Sequence, residues 1–403
     1  MRGTGRIFIN ALLVFAAAGF STPAAAAEPQ ADSVQKVTHH VGFNLRPAFI
    51  IPSHKFFRGE NATGGRLWKS GAAHLQYSFS FPGESRYGKE YPTAYQGIGV
   101  GMNTFGDRQE IGNPASVYIF QGAQLARLSD KLSFDYEWNF GASFGWKPYN
   151  IASNPNNTVV GSKVNAFINV GFLLTWRPSP GWNVSAGVDL THFSNGNTRY
   201  PNSGVNTAGL RIGAVKNFGN MDSPRPTSSG ASELAGKSFL QRTSLDVTVY
   251  GAGRAKGLYW NDNPYIVKGT FGIIGLNVNP LYKFNKFFKA GASLDVQYDE
   301  CANIGSHVAG TDADGEIKFY RPPFAEQFGV GLSLRAEFCM PVFSVNLGFG
   351  RNFIYKGDEL KGFYQILALK AEVYKGLYLH IGYKLHDFHD PNNLMLGFGW
   401  RFR

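Results

Sequence analysis

Apolar and polar residues alternate one by one along many stretches of this chain, and this pattern constrains the fold more than any other feature. From Leu132 to Trp146, eight apolar positions interleave with seven small or polar ones. The same period of two recurs in residues 288–299 and 343–349. Side chains of a β-strand point alternately to the two faces of a sheet, whereas a long amphipathic helix repeats every 3.6 residues. The sequence therefore predicts an all-β chain.

The links between the predicted strands are alternately short and long. Tight links such as 129–131 and 179–181 follow every second strand, and longer polar stretches such as 52–69 and 301–327 follow the others. Short turns on one rim and long loops on the other are typical of outer-membrane β-barrels. The link at 82–96 is too long for the short-turn rim. The pattern predicts a transmembrane antiparallel β-barrel of about 16 strands, and it leaves open whether they form one barrel or two of eight.

The N-terminal segment has the composition of a secretory signal peptide. Arg2 and Arg6 precede an apolar run that ends at Phe20, and four alanines follow at 24–27. We therefore predict that residues 1–27 are cleaved. No later apolar run reaches the roughly 18 residues that a membrane helix needs, so we expect strands, not helices, to cross the membrane. Charged residues make up 17% of the chain, against about 25% in soluble domains.

Three further segments divide the remaining chain. Residues 28–219 hold a first set of about eight strands, and residues 220–241, rich in Ser, Pro and Gly, predict a periplasmic linker. Residues 242–403 hold the remaining strands and end in an apolar face that resembles the terminal-strand signal of outer-membrane proteins. A weak similarity between 183–193 and 378–388 leaves an internal duplication open. The second copy has Asp387 and His389 in place of a His-x-Ser pair.

The net charge is +11, which suits an anionic lipid surface or a nucleic acid. Export from the cytoplasm argues against the nucleic acid, so we expect a lipid partner in the outer membrane of a Gram-negative bacterium. The oligomeric state stays open. Cys301 and Cys339 fall at opposite ends of neighbouring predicted strands, and we expect both to be free thiols. Lumen-facing Asp135, Glu137, Asp295 and Arg335 predict a polar network inside the barrel.

A polar cluster interrupts the apolar face of the strand predicted at 182–194. Positions i and i+2 share a face, so His192 and Ser194 continue the row of apolar residues that ends at Leu190. The returning strand carries Asn206 on its apolar face, and the turn-rich residues between them reverse the chain. If the two strands pair, the hydroxyl, the imidazole and the amide converge on the lipid side of the sheet.

These residue types together suit nucleophilic ester hydrolysis. A serine hydroxyl needs a base within hydrogen-bond reach, and the base needs a third group that holds its tautomer. We predict Ser194 as the nucleophile, His192 as the base and Asn206 as the orienting group. The nearest donors for an oxyanion are the Asn195 side chain and the Gly196 backbone N–H. Arg199 is a candidate ligand for a lipid phosphate, although it could equally be a solvated loop residue.

The segment Thr191-His192-Phe193-Ser194-Asn195-Gly196, followed by Pro201-Asn202-Ser203-Gly204-Val205-Asn206, resembles the signature of the PagL-type lipid A deacylases, also known as acyloxyacyl hydrolases. The resemblance covers about residues 37–219. It implies removal of an ester-linked acyl chain from lipid A of lipopolysaccharide, with Ser194 and His192 catalytic. The chain departs from the family at Asn206, where PagL has a glutamate.

Two alternatives remain open. The His-x-Ser-Asn-Gly run with an asparagine as third member is also similar to outer-membrane phospholipase A, which depends on calcium. A porin-like or scaffolding barrel, with the polar cluster as a hydrogen-bonded turn, is the reading without catalysis. We expect no metal site and no cofactor, with calcium as the exception if the chain is phospholipase A-like.

Overall fold

The computed structural model describes residues 37–219, 236–260, 263–311, 317–387 and 390–402. The predicted signal peptide, most of the predicted linker, and His389 of the possible second copy lie outside these ranges. Within them, sixteen strands form two closed antiparallel barrels of eight strands each. The prediction of an all-β barrel chain with about 16 strands is confirmed. The question that the sequence left open is answered by two barrels of eight strands each. In the described part of the chain, no helix is long and apolar enough to cross a membrane.

The first barrel closes because its last strand pairs with its first. Its strands are β1 (Thr38–Ile50), β2 (Lys69–Ser80), β3 (Tyr95–Thr104), β4 (Ala115–Arg127), β5 (Leu132–Phe144), β6 (Val164–Ser179), β7 (Trp182–Ser194) and β8 (Val205–Phe218). Four long links, 51–68, 105–114, 145–163 and 195–204, join strands at one rim. The link between β2 and β3 is long for the opposite rim, as its sequence indicates, and it contains a short α-helix, Arg86–Glu90.

The second barrel is closed by pairing between its first and last strands in the same way. Its first three strands are β9 (Thr243–Trp260), β10 (Asn263–Lys283) and β11 (Phe288–Asp299). A separate hairpin, β12 (Val308–Thr311) and β13 (Ile317–Phe319), follows in the long loop. The remaining strands are β14 (Phe328–Cys339), β15 (Phe343–Ile354), β16 (Phe363–Tyr374), β17 (Leu377–His386) and β18 (Asp390–Phe402).

The polarity of the first barrel is the reverse of that of a soluble domain. On β1, the side chains of Val41, Phe43 and Leu45 are exposed on the outer wall, whereas Asn44 and Arg46 are buried in the interior. Such an alternation places apolar side chains against lipid and polar side chains in the lumen. The period of two in the sequence is therefore the pattern of a wall with hydrocarbon on its outer side.

Buried ion pairs fill the lumens. In the first barrel, Glu137 contacts Arg211 at 2.7 Å, and in the second barrel Asp295 contacts Arg335 at 2.6 Å. Asp135 is also buried inside the first barrel. The predicted interior network is confirmed. An eight-stranded barrel is just wide enough for its side chains to fill, so these are packed interiors.

An aromatic core lies under the long loops of the first barrel. Phe56 and Phe57 come from a 3-10 helix (Lys55–Arg58) in the first long loop, and they belong to the same buried cluster as Trp146 and Phe193. Phe193 is the residue between His192 and Ser194 on β7. The core therefore joins the loops to the strand end that carries the polar cluster.

Both cysteines are free, as the sequence predicts. The Cys301 thiol, just after β11, is buried and donates to the Asp299 carboxylate at 3.2 Å. Burial raises the pKa of this thiol, which keeps it protonated.

A four-membered charge cluster in the second barrel ties the first strand to the last. Lys370 on β16 contacts both Asp246 on β9 and Glu337 on β14, at 2.8 Å each. Arg401 on β18 binds Asp246 at 2.7 Å and also contacts Glu337. Asp246 and Arg401 are direct partners across the seam between β9 and β18. All four side chains are almost fully buried, so each charge depends on the others.

Replacing Lys370 with methionine should therefore destabilise the second barrel. The substitution removes the one ammonium that contacts both buried carboxylates, and leaves Arg401 and the more distant Lys289, 3.5 Å from Glu337, as their cations. The expected loss is about 3–5 kcal/mol of unfolding free energy. The loss is measured by urea unfolding of the full chain in lipid vesicles, with Lys131→Met at an exposed turn as the matched control. Equal stability of the two variants would contradict the role of the cluster.

Candidate active site

The end of β7 carries the predicted nucleophile and base on its outer face. Along this strand Val188 and Leu190 are exposed on the wall, and Asp189 and Phe193 are buried on the lumen side. His192 and Ser194 continue the outward row. The strand therefore leads from a lipid-facing apolar surface directly into the polar cluster.

The pairing register brings the third predicted residue next to this pair. On β8, Asn206 is the direct cross-strand partner of His192. On the other side, β6 places Ile168 beside His192 and Ala166 beside Ser194. The polar cluster thus has apolar neighbours on β6 and a single amide on β8.

The three side chains form one hydrogen-bonded chain. The distance from His192 Nε2 to Ser194 Oγ is 2.8 Å, and that from His192 Nδ1 to Asn206 Oδ1 is 2.6 Å. With its hydrogen on Nδ1, the imidazole donates to the Asn206 oxygen, and Nε2 accepts the hydrogen of the Ser194 hydroxyl. This is the arrangement in which a serine can lose its proton to a held base.

Packing on the lumen side holds these residues in place. The Phe193 ring lies 5.1 Å from that of Trp146, 5.4 Å from that of Phe167 and 5.5 Å from that of Phe105. Val205, which precedes Asn206, is completely buried in the same core. Each flank of the cluster is thereby anchored by a side chain that points inward from the same strand.

The loop after β7 requires a glycine at its far end. Gly204 has a φ of +71°, and a Cβ there would lie 2.8 Å from the Phe193 carbonyl oxygen and 3.3 Å from His192 Cε1. Any larger residue would be strained and would press against the imidazole. Gly196, at the near end, also has a positive φ, of +63°.

The residues predicted to bind an oxyanion lie beside a further polar residue. Asn195 is buried, and its backbone N–H donates to the side-chain oxygen of Asn202 at 2.9 Å. Asn202 is itself only 7% exposed, and its Nδ2 has no hydrogen-bond partner among the described residues. A buried amide nitrogen without a partner is costly unless a ligand uses it.

Asn202 is not among the site residues that the sequence predicts. The only signal for it is the Pro-Asn-x-Gly segment, in which an asparagine also suits a turn. Arg199 is exposed on the same loop, and its role stays a prediction. In the ranges that the structure covers, no group of three His, Cys, Asp or Glu side chains is placed to hold a metal ion.

Two family models match the chain. Residues 42–214 match the family described as lipid A 3-O-deacylase (PagL), and residues 243–403 match the acyloxyacyl hydrolase, C-terminal domain. The first match contains the Ser194, His192 and Asn206 cluster. None of the curated protein sequences compared with the chain matches it significantly.

Solved structures similar to the chain include three proteins of about half its length. The outer membrane enzyme PagL is 16% identical, with 43% of this chain and 97% of that chain covered and a TM-score of 0.28. Neisserial surface protein A is 9% identical, with 45% and 97% covered and a TM-score of 0.30. Ail of Yersinia pestis is 10% identical, with 45% and 99% covered and a TM-score of 0.24. The two family matches together account for both barrels, and the chain belongs to the PagL family of lipid A deacylases, ester hydrolases of the Gram-negative outer membrane.

Proposed function

We propose that this chain deacylates lipid A with Ser194 as the nucleophile, His192 as the base and Asn206 as the group that orients the base. The observation that carries the proposal is the continuous hydrogen-bonded chain through these three side chains. It lies on the outer wall of the first barrel. Polar groups on a lipid-facing wall are costly, and they are usually retained for function.

The geometry supports a two-step ester hydrolysis. Ser194 Oγ attacks the ester carbonyl carbon while its proton passes to His192 Nε2. The tetrahedral intermediate collapses, the sugar hydroxyl leaves with the proton from His192, and the acyl group stays on Ser194. A water molecule then gives a proton to His192 and attacks the acyl-serine, which releases the fatty acid and restores the hydroxyl.

Asn206 supports the base without a charge. Its amide oxygen accepts the Nδ1 hydrogen and fixes the tautomer, as the carboxylate of a Ser-His-Asp triad does. A neutral amide stabilises the imidazolium less than a carboxylate would. We infer that Asn206 acts mainly by orientation.

We further propose Asn202 as an oxyanion donor, together with the Asn195 side chain and the Gly196 backbone N–H. Asn202 is held by its own oxygen, which accepts the Asn195 N–H, so its Nδ2 is fixed next to the end of β7. A donor that is positioned before the reaction can stabilise the developing negative charge without reorganisation.

The substrate leaflet follows from the topology of the first barrel. In outer-membrane barrels the long loops face the outside of the cell, and the cluster lies at the long-loop rim. Lipopolysaccharide occupies the outer leaflet there. We propose cleavage of the 3-O ester, because the matched region that contains the cluster carries that description, and we propose that no cofactor is needed.

Replacing Ser194 with alanine should abolish acyl loss from lipid A. Cells that express the wild-type chain should yield lipid A lighter by one acyl group in mass spectrometry, and cells with Ser194→Ala should not. Fragmentation identifies the ester that is cut. Calcium-dependent release of fatty acid from phospholipid would instead favour the phospholipase A alternative, and hydrolysis of neither lipid would favour a barrel without catalysis.

Replacing Asn206 with glutamate should preserve activity, because a carboxylate oxygen can accept the same Nδ1 hydrogen. Asn206→Leu, which can accept nothing, should lower kcat by about 10²-fold or more. Both are measured as initial rates on purified lipid A in detergent with and without a calcium chelator. Complete loss of activity in Asn206→Glu would count against the orienting role.

Replacing Asn202 with aspartate tests the oxyanion donor. The variant keeps an oxygen for the Asn195 N–H but loses the Nδ2 hydrogens, so kcat should fall by about 10²–10³-fold while KM changes little. Asn156→Asp, on an exposed part of another loop of the same barrel, is the matched control. An unchanged kcat in Asn202→Asp would remove this residue from the mechanism.

A further inference from the structure

The first long loop of the first barrel begins at the candidate active site. The Ile51 N–H donates to the carbonyl oxygen of Asn206 at 2.8 Å, so the loop leaves β1 bound to the residue that orients His192. The next residue, Pro52, accepts two hydrogen bonds from the Arg58 guanidinium, from Nε at 3.2 Å and from Nη2 at 3.1 Å. Two consecutive residues thus connect Arg58 to the site.

Arg58 is presented by a rigid turn. It ends the 3-10 helix Lys55–Arg58, whose two central residues, Phe56 and Phe57, are completely buried in the aromatic core. The His54 ring caps the helix by accepting the Phe56 N–H at 3.2 Å, and Asn61 donates to the Phe56 carbonyl at 2.8 Å. The Arg58 side chain is exposed at the surface of this fixed turn.

The turn is strongly cationic. Residues 51–70 contain four basic residues, Lys55, Arg58, Arg66 and Lys69, and one acidic residue, Glu60. Glu60 lies 3.7 Å from Lys55, in a pair so exposed that it is weak. Among the described ion pairs, none joins Arg58 to a carboxylate. The described hydrogen bonds of Arg58 use Nε and Nη2. Its Nη1 can therefore donate two hydrogen bonds to a bound anion.

An exposed aromatic pair on the outer wall indicates that this turn lies at the level of the lipid headgroups. Phe49 on β1 stacks on Trp68 with ring centroids 5.7 Å apart, and the Lys69 ammonium lies 4.7 Å from the Trp68 ring centroid. Phe49 is the register partner of Ala208, two residues from Asn206 on β8. Exposed tryptophan and lysine on a barrel wall are typical of the interface between hydrocarbon and headgroups.

We propose that Arg58, supported by Lys55 and Lys69, binds a phosphate group on the headgroup of the glycolipid whose ester reaches Ser194. This inference rests on the proposed deacylation. A guanidinium offers a planar fork of N–H donors that matches phosphate oxygens. Strands are about 4.8 Å apart, so the rim of β1 lies about 10 Å from β7, a span that one sugar headgroup covers. The lipid is therefore oriented at two points, by its phosphate at Arg58 and by its ester at Ser194.

The first test compares lipid A that carries its phosphates with the same lipid A after phosphatase treatment, using the purified full chain in detergent. Arg58→Gln should raise KM for the phosphorylated lipid about tenfold with kcat unchanged, and should change KM for the dephosphorylated lipid less than twofold. Lys69→Gln removes no described hydrogen bond. It should raise KM for the phosphorylated lipid about threefold and leave KM for the dephosphorylated lipid unchanged.

The matched control is Arg127→Gln, since Arg127 is paired with Asp130 on the opposite rim, and it should leave both KM values unchanged. Equal effects of Arg58→Gln on the two lipids, or no effect on either, would overturn the proposal. The proposal would also be overturned if Arg58→Gln raised KM for both lipids while Lys69→Gln changed neither KM.

The second test measures binding without turnover, in the Ser194→Ala background, to vesicles with and without phosphorylated lipid A. Binding that depends on the lipid phosphate and weakens with Arg58→Gln supports the site even if the wild-type chain hydrolyses nothing, in which case only the proposed function fails. Inorganic phosphate offers the same oxygen ligands without the lipid. It should displace the chain from these vesicles only at millimolar concentrations. Equal Arg58-dependent binding to phosphatidylglycerol vesicles would overturn the assignment to a glycolipid.

Discussion

The requirement that every backbone N–H and C=O be hydrogen-bonded inside the protein governs this structure. Hydrocarbon offers no partners, so a sheet that crosses a membrane must close on itself. Here both sheets do so, β1 with β8 and β9 with β18. Closure turns the apolar faces outward and leaves the polar faces in narrow lumens, where buried ion pairs such as Glu137 with Arg211 satisfy one another.

The candidate active site inverts this polarity on the outer wall of the first barrel. On the outer wall, where Leu190 and its neighbours are apolar, His192, Ser194 and Asn206 satisfy one another's hydrogen bonds. In the proposed reaction, the apolar wall around these residues binds the acyl chain next to Ser194 by the same hydrophobic effect that holds the barrel in the membrane. In the proposed reaction the loops recognise the headgroup, and the first loop, which carries Arg58, begins with a hydrogen bond from Ile51 to Asn206.

Much of this arrangement can be predicted from the sequence, because alternation is a local property. It assigns His192, Ser194 and Asn206 to one face and predicts the hairpin that joins them. The division into two eights cannot be predicted in this way, since closure depends on pairing between strands that are distant in the chain. Asn202 and Arg58 escape prediction for another reason. Asparagine in a turn and arginine in a loop are ordinary there, and only the unpartnered Nδ2 and the bond to Pro52 distinguish them.

Phe193 stands between His192 and Ser194, the proposed base and nucleophile, yet its ring lies within the aromatic core of the lumen. The packing of this ring on the lumen side fixes the backbone that carries both side chains on the outer side. A substitution in the aromatic core, although it contacts neither the lipid nor the Ser194 hydroxyl, would therefore shift His192 and Ser194 together. In such a wall a single sheet separates the packed lumen from the proposed site of ester cleavage, so a substitution inside the barrel can change the geometry of groups on its outer face.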